Sequence, residues 1–331
     1  MSRTDVVSRT GPDGSPVQWC EPLGRRLRLD GIETVGVSTQ TLAEQHLAAG
    51  EWEIAADLAE YQLDEMTRIN DAVFTWISVI LDDPVFHTSE GTGGAGRIVA
   101  AMSGFGAGDG DLAAVLAACG RHDAETALRR IELMRVRVAA IHDNLVWWAQ
   151  HLLTEVALAR GEDAVRDLVL KTYEVLWRPR YATWDLLTPL ERLQISIEGM
   201  RGHLSGPRHR GDVGVLDEGD RYTMVLDTCG SCGVLRHGDP DSGRPGCNPL
   251  GTMQPHDWAW NRIGVGWYAV HSAIVMQWLQ MKDGRPPLRP LEGCDTDAPC
   301  RWFIYKNPSD AREEHYASMG FTSPTSSKAA V

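Results

Sequence analysis

From Ser38 to about residue 200 the apolar positions recur at three- and four-residue steps, the period of helices that each bury one face. The pattern predicts helices from Leu42 to Ala49, Glu51 to Leu81, Ala124 to Arg160, Glu162 to Trp177 and Leu186 to Met200. Ser38 or Thr39 can cap the first and Gly50 can end it, while Pro189 falls in the first turn of the last, where proline is tolerated. Beyond residue 220 the period shortens. Arg221 to Asp227 alternates as a strand does, an apolar helix is expected from Trp267 to Leu279 after Gly266, and Trp302 to Tyr305 reads as an aromatic strand. Residues 1–38 show no period and are rich in Gly, Pro, Ser and Arg, so a flexible lead-in is expected there, with a short strand at Thr34 to Val37.

Two helical stretches share a pattern. Asp71-Ala-Val-Phe-Thr-Trp76 and Asp143-Asn-Leu-Val-Trp-Trp148 each place an acid five residues before a Trp, 143 − 71 = 72 residues apart. We read a duplicated unit in an antiparallel bundle. The glycines from Gly91 to Gly96 and from Gly104 to Gly110 lack the Gly-Lys-Ser/Thr of a phosphate loop and are expected to be connectors. The fold class expected is α+β: an N-terminal helical bundle with internal duplication, and a smaller C-terminal α/β zinc-binding module. The corresponding divisions are a lead-in (1–38), the bundle (39–203), a Gly/Pro-rich linker (204–220), the metal-binding module (221–310) and a tail (311–331).

Length and charge narrow the class of function. A chain of 331 residues is long enough to bury substantial cores. A net charge of −13 argues against nucleic acid as a partner, since phosphate contacts need clustered Lys and Arg. No window reaches the roughly 18 uninterrupted apolar residues of a membrane span, and the polar stretch from Met1 to Pro16 has no apolar leader. A cytoplasmic protein with a small-molecule partner is expected, with association into a homodimer left open. In that compartment thiols stay reduced, so clustered cysteines point to metal or catalysis.

Five of the seven cysteines lie between Asp227 and Lys306. Cys229-Gly-Ser-Cys232 can turn two sulfurs onto one ion, and its glycines, Gly230 and Gly233, would supply the positive φ of such a knuckle. Zinc (Zn2+) is the expected metal. His271, at the start of an apolar helix, is the favoured third ligand, and the fourth is open among His237, Cys247, His256, Cys294 and Cys300. A redox-active dithiol is the competing account, but the thioredoxin-like βαβ context is missing. Cys119, in an alanine-rich run, reads as a core residue, and Cys20 as an incidental thiol. Asp71, His142 and Asp143 are further candidates as ligands or bases; neighbours on a helix point about 100° apart, so His142 and Asp143 are expected not to share a site easily, and a paired or solvated acid is expected.

The ending resembles that of the 4-vinyl reductase domain and of the L-2-amino-thiazoline-4-carboxylate hydrolase-like proteins. The residues that carry the likeness are Gly284-Arg-Pro-Pro-Leu-Arg289, then Cys294, an acidic turn, Cys300 and the aromatic strand, about 100 of the 331 residues. The resemblance implies a small α/β module that holds zinc or a small ligand through cysteines, and in the hydrolase-like branch a ring-opening hydrolysis. The long helical half and the insertion from Gly238 to Gly251 depart from it. The reading that follows is a zinc-dependent hydrolase or lyase cleaving a C–N or C–S bond. Water on an open zinc position would be acidified to a pKa of about 7, with Asp227, Asp257 or His256 as catalytic acid or base. The alternative is a small-molecule sensor or carrier with a structural zinc. If four protein ligands close the shell, the zinc is structural and any catalysis lies elsewhere.

Overall fold

The structure, a computed structural model, describes residues 11–87, 106–239, 243–247 and 249–324. It combines a helical N-terminal region with a small C-terminal sheet. The connectors expected at Gly91 to Gly96 and at Gly104 lie outside the described residues.

The helices form where the periodicity places them, and their ends follow local chemistry. Helix α1 (Thr39–Ala49) starts where the Ser38 side chain accepts from the Thr41 amide and stops at Gly50, whose φ of 76° suits a residue without Cβ. Helix α2 (Trp52–Leu81) and the unpredicted α3 (Asp109–Gly120) pack against α4 (Ala124–Arg160), which begins at an Asp123 side-chain cap. Helix α5 (Glu162–Thr172) runs on through a π-turn. Helix α6 (Pro189–Gly202) opens with a capping box between Thr188 and Glu191. No helix among the described residues is long and apolar enough to cross a membrane.

Three segments differ from the sequence expectation. The lead-in is not loose: β1 (Val17–Cys20) pairs with β2 (Arg25–Arg28), and Val17, Leu27 and Arg28 are fully buried. Thr34 to Val37 forms a turn closed by the Thr34 and Val35 amides on Gly31 O, rather than a strand. The linker carries β3 (Gly214–Asp217), and the tail carries a short helix, α9 (Glu313–Ala317), whose His315 and Tyr316 are buried. The hairpin and α9 are short elements whose burial comes from distant partners, and β3, largely exposed, is held by its pairing with β4; local pattern records neither.

Strand β3 pairs with β4 (Arg221–Leu226), β4 with β6 (Cys300–Tyr305), and β6 with β5 (Leu291–Glu292), all antiparallel. Between β4 and β5 come a short helix, α7 (Cys232–His237), and α8, which runs from Val270–Ala273 through a π-turn at Ile274–Trp278 to Leu279–Lys282. One hydrophobic cluster runs from Cys20 and Leu27 through Trp76, Leu153, Val169 and Ile197 to Trp267, Ile274 and Ile304, so helices and sheet share a core. A second cluster, with Leu58, Leu63, Val115, Cys119 and Ile131, fills the space among α1 to α4. Trp76 is buried, whereas Trp148 is partly exposed, so the two similar segments occupy unlike surroundings.

A polar network ties the N-terminal segment to the helices. Glu65 accepts from Thr39 Oγ1 at 2.6 Å and from Arg201 Nε at 2.8 Å, and Arg28 donates to Thr39 at 3.0 Å and to Asp30 at 2.5 Å. Arg201 and Glu65 are 1% and 2% exposed, so this ion pair is fully out of water.

Candidate metal centre

Sheet register brings the cysteines together. Leu226, the last residue of β4, faces Cys300, the first of β6, so the loop leaving β4 meets the loop entering β6. The first loop carries Cys229 and Cys232; the second carries Cys294 and Cys300. Cys232 Sγ lies 3.4 Å from Cys229 Sγ and 4.0 Å from Cys294 Sγ, and the Cys294 and Cys300 thiols interact in turn. All four thiols are buried. Trp302 Nε1–H donates to Cys300 Sγ at 3.1 Å.

A salt bridge locks the two loops. Arg236 on α7 binds Asp295, next to Cys294, through Nε at 3.1 Å and Nη2 at 2.8 Å. Asp295 also accepts from the Gly266 amide at 2.6 Å, and Arg262 donates to the carbonyls of Cys294 and Asp295 at 2.9 and 3.0 Å. These supports have no local motif. Arg236, Arg262 and Asp295 are 26 or more residues apart in sequence, and only folding assembles them.

The thiols hold their protons in this arrangement. The hydrogen bond it shares with Cys232, in which the Cys229 thiol keeps its proton, followed by burial, pushes Cys229 well above the usual thiol range. For Cys232, Cys294 and Cys300 the largest influence is the preceding thiol in the chain 229–232–294–300, which lowers each of them. Burial and the remaining thiols outweigh it and raise all three. Among the described residues no three His, Cys, Asp or Glu side chains could hold a metal ion as they stand. The sulfurs touch one another instead of spacing themselves around a point. A tetrahedral shell of Zn–S bonds sets sulfurs about 3.8 Å apart, and the two separations seen, 3.4 and 4.0 Å, lie either side of that value.

Gly230 and Gly233 act through space rather than through φ, since neither adopts the positive φ expected of them. A Cβ on Gly230 would lie 1.7 Å from His203 O, and one on Gly233 would lie 2.6 Å from Thr228 Cγ2. Gly230→Ala is therefore expected to cost about 3 kcal/mol, as overpacking against backbone does; the midpoint of urea unfolding measures it, and an unchanged midpoint would refute the close contact.

The other sequence candidates sit elsewhere. His271 donates from Nδ1 to Tyr268 O at 2.6 Å and stacks on Trp177 at 5.5 Å, with Trp76 at 5.0 Å. His256 pairs with Glu162 at 2.7 Å and stacks on Trp258, tying its loop to α5. Asp257 is exposed and caps the Trp258 amide at 2.8 Å. Asp227 is also exposed, but it borders a cleft of about 190 Å3 that reaches Cys229, Cys232 and Cys300. His237 contacts Thr296 O at 3.3 Å on the rim of that cleft, and Cys247 donates to Leu235 O at 3.2 Å.

His142 and Asp143 do meet, against the angular expectation. His142 Nδ1 lies 3.0 Å from Asp143 Oδ1, and His142 Nε2 lies 2.8 Å from His203 Nδ1. The carboxylate can only accept, so His142 carries its proton on Nδ1, and with a neutral ring its Nε2 accepts from His203. Burial, then His142 and His271, hold His203 well below the usual imidazole range.

Burial also lowers His271 and His315 to about 4 each. Between that value and the unfolded value of about 6.5 the unfolded chain binds protons that the folded chain does not. Stability is therefore full above pH 6.5 and falls as pH drops toward 4, on the order of 3 kcal/mol for each histidine. Urea midpoints at pH 7 and pH 4.5 check this, and His315→Gln should shrink the difference; an unchanged difference would refute the assignment.

No protein-family model, curated protein or solved structure matches this chain.

Proposed function

We propose that the protein binds a small molecule beside a structural zinc ion held by Cys229, Cys232, Cys294 and Cys300. The observation that carries this reading is the run of four buried thiols in contact, from two loops locked by Arg236 and Asp295. Thiolates are the ligands soft divalent ions prefer, and four of them fill a tetrahedral shell. The two separations given, Cys229–Cys232 at 3.4 Å and Cys232–Cys294 at 4.0 Å, each differ from the tetrahedral value by a few tenths of an ångström, and the four thiols must regroup around the ion as they lose their protons. His271 is replaced in this set because its partners are aromatic rings and the Tyr268 carbonyl.

Zinc in such a shell ties two loops together and sets the shape of the surface around it. The proteins that use zinc this way gain folding free energy from the metal. X-ray absorption at the zinc edge tests the ligand count. Four sulfurs at about 2.3 Å are expected; a lighter N or O ligand in the shell would overturn the assignment.

A second reading is favoured by one observation, the cleft of about 190 Å3 that borders Cys229, Cys232 and Cys300. If one thiol stayed out of the shell, that cleft would admit a substrate to an open position, with Asp227 at its mouth as the base. This is the hydrolase or lyase reading of the sequence, and the same spectrum separates the two.

A further inference from the structure

A cavity of about 390 Å3, sharing no lining residue with the thiol cleft, opens among α2, the β1–β2 hairpin, α6 and the segment after the π-turn at Tyr173–Trp177. Its volume is that of sites that enclose small organic ligands. Arg68, Asp71, Ala72 and Thr75 line it from α2, at the steps of three and four that set side chains on one helix face. Arg25 enters from β2 and Arg180 from the segment after the π-turn, while Leu176 and Ile195 give the cavity apolar surface.

The three guanidiniums are not equally committed. Arg25 gives both of its terminal nitrogens to Glu198, at 2.7 and 2.5 Å. Arg68 Nε stands 3.9 Å from the same carboxylate, beyond hydrogen-bond reach, and is buried with no hydrogen-bond partner. Arg180 has neither a hydrogen bond nor an ion pair among the described residues. Asp71 is the carboxylate in the described lining, and it is not without a partner.

A fourth cation stands behind the wall. Arg289, 7% exposed, donates at 3.2 Å to Oγ of Ser196, which follows Ile195, and also to the hydroxyl of Tyr181, which follows Arg180. It lies over the rings of Tyr181, Trp184 and Trp302, and no carboxylate pairs with it among the described residues. Burial lowers Arg289 below the usual guanidinium range, and Arg180 lowers it further against the pull of Tyr181, so the two positive charges feel one another. Positive charge held out of water without a counter-charge is costly, and a bound anion offsets that cost.

Two guanidiniums with donors to spare on an apolar cavity, and a third buried behind it, select negative charge on an apolar body. Guanidinium forks pair with carboxylate and phosphate oxygens two N–H groups at a time. We propose that this cavity binds a small organic anion, with Arg68 and Arg180 holding its carboxylate or phosphate and Leu176 and Ile195 against its apolar part. The site goes beyond the metal reading and does not depend on which ion the thiols hold.

Calorimetric titration of the full chain with benzoate, phenyl phosphate, benzyl alcohol and benzylammonium tests it. One of the two anions is expected to saturate a single site per chain and to bind roughly ten-fold or more tighter than the alcohol or the ammonium ion, as charge-assisted hydrogen bonds do. Which anion binds tighter separates carboxylate from phosphate. Arg180→Gln and Arg68→Gln should each weaken it roughly ten-fold. Arg129→Gln, which removes the same charge from an exposed position on α4, should leave the affinity unchanged. Arg180 has no ion pair to lose, so its variant keeps the test open if Arg68→Gln, beside Glu198, does not fold. Equal affinity for the four probes, no saturable binding of either anion, undiminished affinity in Arg180→Gln, or an equal loss in Arg129→Gln would overturn the proposal. Zinc measured on the same samples should not differ between Arg180→Gln and the wild type; anion binding that falls only where zinc falls would place the ligand at the thiols and overturn the proposal as well.

Discussion

Cys294→Ser should emerge from purification and dialysis with close to no zinc, where the wild type retains one ion per chain, and with its C-terminal sheet unfolded. The magnitude follows from the role assigned to the ion. Structural zinc sites bind with apparent free energies of about 10–16 kcal/mol at neutral pH, comparable with the whole net stability of a domain, about 5–15 kcal/mol. Without the ion, four buried thiols raised above the usual thiol range are left holding two loops by weak S–H contacts and one salt bridge. Elemental analysis and circular dichroism on the same sample give both readouts. Cys20→Ser and Cys119→Ser, which alter buried thiols in the hydrophobic clusters, should keep the metal and serve as controls. One zinc per chain in Cys294→Ser would remove that residue from the shell.

Arg201→Met is expected to destabilise the protein by about 3–5 kcal/mol, the cost of leaving one member of a buried ion pair uncompensated. Glu65 would then lie at 2% exposure with Thr39 as its remaining close donor. Burial already raises Glu65 above the ordinary carboxylate range, although Arg201 and Arg28 pull it down. Removing Arg201 raises it further, so the folded variant takes up a proton more readily than the unfolded chain does. The penalty should therefore be largest above the variant's own Glu65 pKa and shrink as pH falls through it. Pairing the change with Glu65→Leu should restore most of the loss, because two apolar side chains need no partner. A urea double-mutant cycle measures both effects; additive losses in the double variant would show that the pair is not coupled.

Helices α1, α2, α4, α5 and α6 were legible because each buries a continuous face, and that face is written in adjacent residues, whereas α3 and the short α9 were not. Ser38, Gly50, Thr188 and Glu191 mark ends that the structure reproduces. The hairpin of β1 and β2 was not legible. Arg25-Arg-Leu-Arg28 looks like solvated chain, and its burial depends on Asp30, Thr39, Tyr61 and Glu198. The thiol cluster was half legible. Cys229 and Cys232 announce themselves by spacing, while Cys294 and Cys300, six apart, gain their meaning only from the Leu226–Cys300 register. His271 starts the buried face of an apolar helix, and its ring meets those of Trp76 and Trp177 while Nδ1 donates to Tyr268 O. The angle between neighbouring helical side chains argues against a shared site for His142 and Asp143. That argument misses side chains long enough to curl back, and it could not foresee His203, 61 residues on, completing the chain.

The hydrophobic cluster that joins hairpin, helices and sheet bears on how the molecule comes apart. The segment around residue 210 is stitched to both sides, by Val213 N on Gly36 O and by β3 on β4, so it offers no natural place to cut. A fragment ending there would carry half of a shared core, with Trp76 and Ile197 stripped of the side chains that cover them. Expressed separately, the two pieces should be insoluble alone and recover only when co-expressed, each supplying the surface on which the other solidifies.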